Sequence, residues 1–310
     1  MWRGWRDVLA RLGFASAALD AKLLAGHALG LGALELALRE NDPVAPEAAE
    51  RIAGLLQRRL SGESVARIIG AREFFGLAFT LNAGTLEPRP ETELLVEMVL
   101  AALPEAGRLL DLGTGTGCIP IAVLVNQGDA RAVAVDLSAE ALVAAQENAE
   151  RHGVAERLEL RRGDWFGALA PLPSPPREGE GAASGTWPNA APRTGLHLPP
   201  GGGGWEGGLF DVIVSNPPYI ASAVVETLEV EVKDFDPRLA LDGGPDGLAP
   251  YRIIAAGAGA WLEPRGHVLV EIGHDQGAGV SALFLEAGYE DVSVHKDLNG
   301  LDRVVWARHI

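Results

Sequence analysis

The chain has 310 residues, of which 47% are apolar and 22% charged, and its formal net charge is −16. Such a composition describes a globular protein with a sizeable core, long enough for one large domain and a smaller one. The excess of acidic groups argues against stable nucleic-acid binding, which depends on Lys and Arg neutralising phosphates.

The single cysteine, Cys118, has no partner for an intramolecular disulfide, so a reducing cytoplasm is the expected compartment. The opening segment MWRGWRDVLARLGF lacks an uninterrupted apolar stretch, and no signal peptide is expected. The longest apolar runs, IPIAVLV and IIAAGAGAWL, fall short of the roughly 18 residues a membrane helix needs. A soluble protein without a membrane partner follows, with a monomer as the default.

Residues 1–70 read as helices. Val8, Leu9, Leu12 and Phe14, then Leu19, Leu23 and Leu24, then Ile52, Leu55, Leu56 and Leu60 recur at three- and four-residue spacing, with breaks at Asp42-Pro43 and Ser61-Gly62. This predicts a small helical domain. EFFGLAFTLNAGTL then switches to β-formers around Gly76 and Asn82-Ala83-Gly84, which predicts a hairpin linker over 71–88.

From residue 89 to 310, helix and strand alternate. A helix over about 91–103 precedes the strand RLLDLG, and further strands read RAVAVDLS, RLELRRGD, FDVIVSN and GHVLVEIG, separated by helical segments such as SAEALVAAQENAERHG. Alternation of this kind implies an α/β fold, a mostly parallel sheet covered on both faces. The end differs: EDVSVHKD and DRVVWARH flank Leu298-Asn299-Gly300, which predicts an antiparallel pair at the sheet edge. The stretch 168–208, rich in Pro and Gly and nearly free of aliphatic periodicity, reads as a disordered insertion. Its Trp187 and Trp205 could dock a partner, but a solvated loop without a role is the plainer reading.

Several short motifs carry chemistry. DLGTGTG, Asp111 to Gly117, follows a strand and opens a helix, so its glycines let the backbone turn sharply beside a ligand. A dinucleotide fingerprint would place a third glycine where Cys118 stands, and the pattern departs from the NAD form. Cys118 reads as a small buried residue rather than a nucleophile, with no activating His near it in sequence. Asp136 ends the next strand, where a carboxylate can accept from both hydroxyls of a ribose. Ser138 is the better cap for the helix that follows. Asp164-Trp165 ends the third strand, with a carboxylate for an amino group and an indole face for an adenine; plain core is the rival for Trp165. The seven His residues are scattered without ligand spacing, so no metal is expected.

VSNPPYI, Val214 to Ile220, stops the fourth strand at a polar turn. Open α/β sheets bind ligands at the carboxyl ends of their strands. There Asn216 offers a side-chain carbonyl, and proline, having no N–H, adds acceptors without donors. The Pro217 carbonyl and Asn216 Oδ1 suit a planar NH₂ group, with Tyr219 as an aromatic wall.

With these motifs in place, the chain resembles the class I methyltransferases dependent on S-adenosyl-L-methionine. REFFGLAF, PRPETELLVE, GDWF, DPRLALDGGPDGL and, nearer the N-terminus, DAKLLAGHALG make it similar, over all but the insertion, to the HemK/PrmC family of release-factor glutamine methyltransferases. The resemblance implies a seven-stranded sheet with an antiparallel last strand, preceded by a helical domain that helps bind the protein substrate. It implies methylation of the side-chain amide nitrogen, N5, of the glutamine in the Gly-Gly-Gln motif of peptide chain release factors. Carried over by position, Gly113, Thr114, Gly115, Thr116 and Gly117 form the cofactor loop, with Asp136 on the ribose and Trp165 near the adenine. Asn216 contacts cofactor and substrate, and Asn216, Pro217, Pro218 and Tyr219 form the glutamine site. An N6-adenine nucleic-acid methyltransferase would use the same NPPY acceptors, but would need a basic groove or a target-recognition domain. An NAD-dependent oxidoreductase and a non-enzymatic binding module are the remaining alternatives.

Overall fold

The computed structural model describes residues 2–169 and 209–310. Five helices come first: α1 (Trp2–Arg11), α2 (Ala17–Leu29), α3 (Ala33–Leu38), α4 (Pro46–Leu60) and α5 (Val65–Ile69). Their core holds Leu9, Ala17, Ala21, Leu24, Ala25, Ile52, Leu56 and Ile68. Leu9, Leu24, Ile52 and Leu56 are thus buried as their spacing predicts, whereas Leu12, Leu19 and Leu23 face outward. On α2 it is the alanine face that packs, because small side chains let neighbouring helices approach closely. The same face buries Asp20, whose Oδ2 accepts from Arg59 Nε at 2.7 Å.

A hairpin follows, β1 (Ala71–Phe74) and β2 (Leu77–Thr80), paired in antiparallel register. Its two-residue turn places Phe75 at φ +53° and Gly76 at φ +72°, the left-handed pair that matches strand twist in a tight hairpin. The Phe75 amide donates to Glu93 Oε1 at 2.9 Å.

The remaining elements are α6 (Glu93–Ala102), β3 (Arg108–Leu112), α7 (Cys118–Asn126), β4 (Arg131–Asp136), α8 (Ala139–Arg151), β5 (Leu158–Arg162), β6 (Phe210–Ser215), α9 (Ser222–Val225), α10 (Val230–Lys233), α11 (Ala249–Gly257), β7 (Leu262–Glu271), α12 (Gly277–Glu286), β8 (Glu290–Lys296) and β9 (Asp302–Arg308). They build a seven-stranded sheet in the order β5-β4-β3-β6-β7-β9-β8. The first five strands run parallel, and β9 lies antiparallel to both β7 and β8. Strand alternation divides the core between two faces. Leu109, Ala132, Ala134, Val212, Val214 and Leu269 meet the layer of α6, α7 and α8, while Leu110, Leu112, Val133, Val135, Ile213 and Val268 meet that of α11 and α12. Each fully buried Val, Leu or Ile among them contributes about 1.5–3 kcal/mol of hydrophobic stabilisation.

The insertion read over 168–208, with Trp187 and Trp205, lies outside the described residues from 170 onward. Its first two residues are described. Ala168 closes a 3₁₀ turn from Trp165, and Leu169 is buried in the core, so both belong with the packed sheet rather than with the insertion. Among the described residues, no helix is long and apolar enough to cross a membrane.

Candidate active site

The parallel strands β3, β4, β5 and β6 end on the same side of the sheet, and a cavity of about 410 Å³ opens there. The order reverses between β3 and β6, which is the switch point where open α/β sheets leave a crevice. Gly113, Thr114, Gly115, Thr116, Asp136, Asp164, Trp165, Asn216 and Pro218 all line it.

The loop after β3 is held by its neighbour. The amides of Gly113 and Thr114 both donate to the Val135 carbonyl of β4, at 2.8 and 3.0 Å. Gly113 and Gly115 have φ +80° and +56°, and a Cβ on either would meet no atom within 4 Å, so their backbone faces open space. Gly117 differs: a Cβ there would come within 2.8 Å of Ile121 and 3.2 Å of Ala145. It lines no part of the cavity and instead permits close packing of α7 on α8. Cys118 is buried at the start of α7, and burial pushes its thiol up to about 12, far from a reactive thiolate.

Asp136 accepts from the Gly115 amide through Oδ2 and from the Ser138 amide through Oδ1, each at 2.8 Å. Burial raises its pKa and these backbone bonds oppose the rise. The helix cap falls to Ser138, whose Oγ accepts from the Ala141 amide. Trp165 sits in the left-handed region at φ +46°, a conformation that costs a non-glycine residue about 1–2 kcal/mol.

Asp111, the first residue of DLGTGTG, is fully buried, and burial pushes its carboxyl up to about 7. Neither of its oxygens nor Thr114 Oγ1 has a hydrogen-bond partner of good geometry among the described residues, although Thr114 lies close enough to oppose the rise. A buried carboxylate behind the glycine loop, a second carboxylate at Asp136 and an open-backed loop fit a nucleoside that carries positive charge, as S-adenosylmethionine does.

The SNPPY turn closes the other side. Ser215 Oγ donates to the Leu112 carbonyl at 2.6 Å and so ties the end of β6 to that of β3. Asn216 and Pro218 reach the cavity; Pro217 is buried, and neither Pro217 nor Tyr219 lines it. Tyr219 packs partly buried against the core beneath α11. Burial pushes its phenol up to about 12.

What positions this turn is the segment LDGGPDGL, for which sequence reasoning had offered no physical role. The Ile220 amide donates to the Leu241 carbonyl, and the Gly243 amide to the Ile220 carbonyl. A Cβ on Gly243 would fall 2.7 Å from the Pro218 carbonyl oxygen, and one on Gly247 would fall 2.4 Å from that of Tyr219. Gln276 Nε2 donates to the Tyr219 carbonyl at 3.0 Å and to the Gly247 carbonyl at 3.3 Å. Thr92 and Glu271 were missed as well: Asn216 is hydrogen-bonded to Thr92 across 124 positions and Thr92 to Glu271 across 179, which no local pattern encodes.

Comparison with known proteins bears on this geometry. Residues 1–70 match the family model of the PrmC N-terminal domain, and residues 89–171 that of the methyltransferase small domain. The chain is 41% identical to the release factor glutamine methyltransferase of Agrobacterium fabrum, across 98% of this chain and 94% of that protein. The chain belongs to the release factor glutamine methyltransferase family. It is 43% identical to the family member of Cereibacter sphaeroides, over 97% of this chain and 94% of that one. The solved hMettl16 catalytic domain in complex with MAT2A 3'UTR hairpin 1 superposes with a TM-score of 0.52 at 14% identity, covering 85% of this chain and 80% of its own, and shares the fold alone. That fold is the class I S-adenosylmethionine-dependent methyltransferase fold, and S-adenosylmethionine is the cofactor of this family member.

Proposed function

We propose that this protein methylates the side-chain amide nitrogen of the glutamine in the Gly-Gly-Gln motif of peptide chain release factors, with Asn216 holding that amide from the cavity wall and the carbonyl of Pro217, the next residue along the chain and just outside the cavity lining, as second acceptor. The observation that carries the reading is that Asn216 opens onto the same cavity as Gly113, Gly115 and Asp136. Donor pocket and amide acceptor therefore share one space.

An amide nitrogen is a poor nucleophile, because its lone pair is delocalised into the carbonyl, the resonance behind a rotation barrier of roughly 18–20 kcal/mol. It has to be oriented. S-adenosylmethionine supplies an electrophilic methyl on a sulfonium. Asn216 Oδ1 and the Pro217 carbonyl accept the two amide hydrogens and so hold the nitrogen in line, at the near-attack separation of about 3–3.5 Å. The same acceptors favour the positive charge that grows on nitrogen. Gly113 to Thr116 and Asp136 seat the nucleoside, with Trp165 against its base. Residues 1–70 contribute to recognition of the protein substrate, residues 71–88 link them to the catalytic domain, and the protein acts as a cytoplasmic monomer.

The test incubates the purified protein with radiolabelled S-adenosylmethionine and a bacterial release factor, beside a factor whose Gly-Gly-Gln glutamine is replaced and a duplex DNA. Label on the intact factor alone is the expected result. Label on DNA, or equal label on both factors, defeats the assignment.

A further inference from the structure

Behind the SNPPY turn runs a buried hydrogen-bond line that the reaction as described leaves without a task. Asn216 Nδ2 donates to Thr92 Oγ1 at 3.2 Å, and Thr92 Oγ1 donates to Glu271 Oε2 at 2.7 Å. Thr92 ends the 3₁₀ turn Pro90–Thr92, and Glu271 ends β7, the strand beside β6. Both are about as buried as side chains become, at 2% and 1% exposure.

The chemistry of each group fixes the direction of the line. A threonine hydroxyl has one proton to give and lone pairs to accept with, so alone it could meet either end of an asparagine amide. An ionised carboxylate only accepts. With Glu271 ionised, as it is above about pH 7, the hydroxyl proton is committed to the carboxylate, and Thr92 can only accept from Asn216. The NH₂ end of Asn216 therefore turns to Thr92, and Oδ1 is left for the cavity. Were the line reversed, Asn216 would meet the substrate NH₂ with donors of its own.

We propose that Thr92 and Glu271 are positioning residues that set the polarity of Asn216, so that Oδ1 rather than Nδ2 faces the substrate amide. The inference rests on Asn216 being the amide acceptor. Its setting supports it. A buried carboxylate is costly where an apolar side chain would pack, and burial pushes that of Glu271 up to about 7. Glu91 adds to the rise, while the Thr92 bond, Arg303 and Arg89 oppose it, and Tyr219 and Tyr251 lie within its electrostatic reach. Glu271 lines no part of the cavity, so it acts through Thr92.

The test uses the full-length protein with a release factor as methyl acceptor. It compares Thr92→Ser, Thr92→Val and Glu271→Met with Asn216→Ala, reading kcat at saturating cofactor, cofactor Kd and melting temperature. Thr92→Ser keeps the hydroxyl and is expected to stay close to the unaltered protein. Thr92→Val and Glu271→Met are expected to lower kcat by up to about 10²-fold, the scale of a misplaced reacting group, with cofactor Kd held. Glu271→Met should keep or raise the melting temperature, since it replaces a costly buried charge; a merely structural role would lower it and spare kcat. Unchanged kcat in either the Val or the Met variant overturns the proposal, as does a loss explained by weaker cofactor binding. Should Thr92→Val fail to fold, Glu271→Met with Thr92→Ser decides. Normal turnover in Asn216→Ala strikes instead at the acceptor role itself, so the two failures are distinct.

Discussion

Arg67 on α5 donates through Nε and Nη2 to Asp236 Oδ1, at 3.1 and 2.6 Å, and both side chains are almost wholly buried. Arg89 Nη2 takes the other oxygen at 2.8 Å. Asp236 thereby pins the helical bundle to the segment that carries Pro237, Leu239, Asp242 and Gly243 along the cavity wall. Asp236→Ala would leave a buried guanidinium uncompensated, at a typical cost of about 3–5 kcal/mol. Urea denaturation should show that loss, and steady-state kinetics should show a higher KM for the release factor with cofactor Kd less affected. Unaltered stability would mean that the pair does not clamp the two regions.

Asn216→Ala removes one of the two acceptors proposed for the substrate amide. Loss of one preorganised polar contact to a developing charge typically costs about 10²–10³ in kcat. The expected pattern is that fall in turnover beside a much smaller change in cofactor Kd by isothermal titration calorimetry. Near-normal kcat would leave the turn without its catalytic role.

Asp111 gives the chain a stability that depends on pH in an unusual direction. In the unfolded chain its proton leaves near 3.8, whereas burial holds it to about 7 in the fold. Between those values the native state binds more protons, so stability falls as pH rises. Its contribution is present in full below the ordinary carboxylate value and gone above about 7. Glu271, raised from 4.5 to about 7, adds the same trend. Asp111→Asn should flatten the fall between about pH 4 and 7 and raise the melting temperature of the cofactor-free protein at about pH 8, by an amount on the order of a few kcal/mol in stability. The same change should weaken binding of the cationic cofactor most at alkaline pH. A variant with the original slope would show that Asp111 does not titrate in this range.

The parts of the fold that sequence discloses are those written in runs. RAVAVD and FDVIVS read as parallel strands because both of their faces are covered, and NPPY reads as a site because two prolines cannot continue a central strand. What stays hidden is written across the fold. The spacing of Leu19 and Leu23 suggests core, yet α2 turns its alanines inward because close helix approach decides the face, and Leu12 falls just past the end of α1. Gly117 looks like the third member of a ligand loop, but the Cβ of Ala145 makes it a packing glycine. Thr92, Glu271 and Gln276 come to the turn from other elements, and nothing local marks them.

Two glycine substitutions separate the two halves of the site. At Gly247, φ is +73° and a Cβ would lie 2.4 Å from the Tyr219 carbonyl oxygen, a backbone atom held in turn by Gln276. The Cβ of Gly247→Ala cannot be accommodated by rotating a side chain, so the SNPPY turn has to shift. Misplacement on the 1 Å scale can cost about 10²-fold in rate. At Gly113, φ is +80° but no atom lies within 4 Å, so Gly113→Ala carries only the left-handed backbone penalty of about 1–2 kcal/mol. Its new methyl enters the space proposed for the nucleoside. Gly247→Ala is therefore expected to lower kcat with cofactor Kd nearly held, and Gly113→Ala to raise cofactor Kd with the SNPPY turn intact. Calorimetric Kd and single-turnover rates on the two variants read this directly. An interchange of the two patterns would mean that the glycine loop and the SNPPY turn do not divide donor and acceptor binding between them.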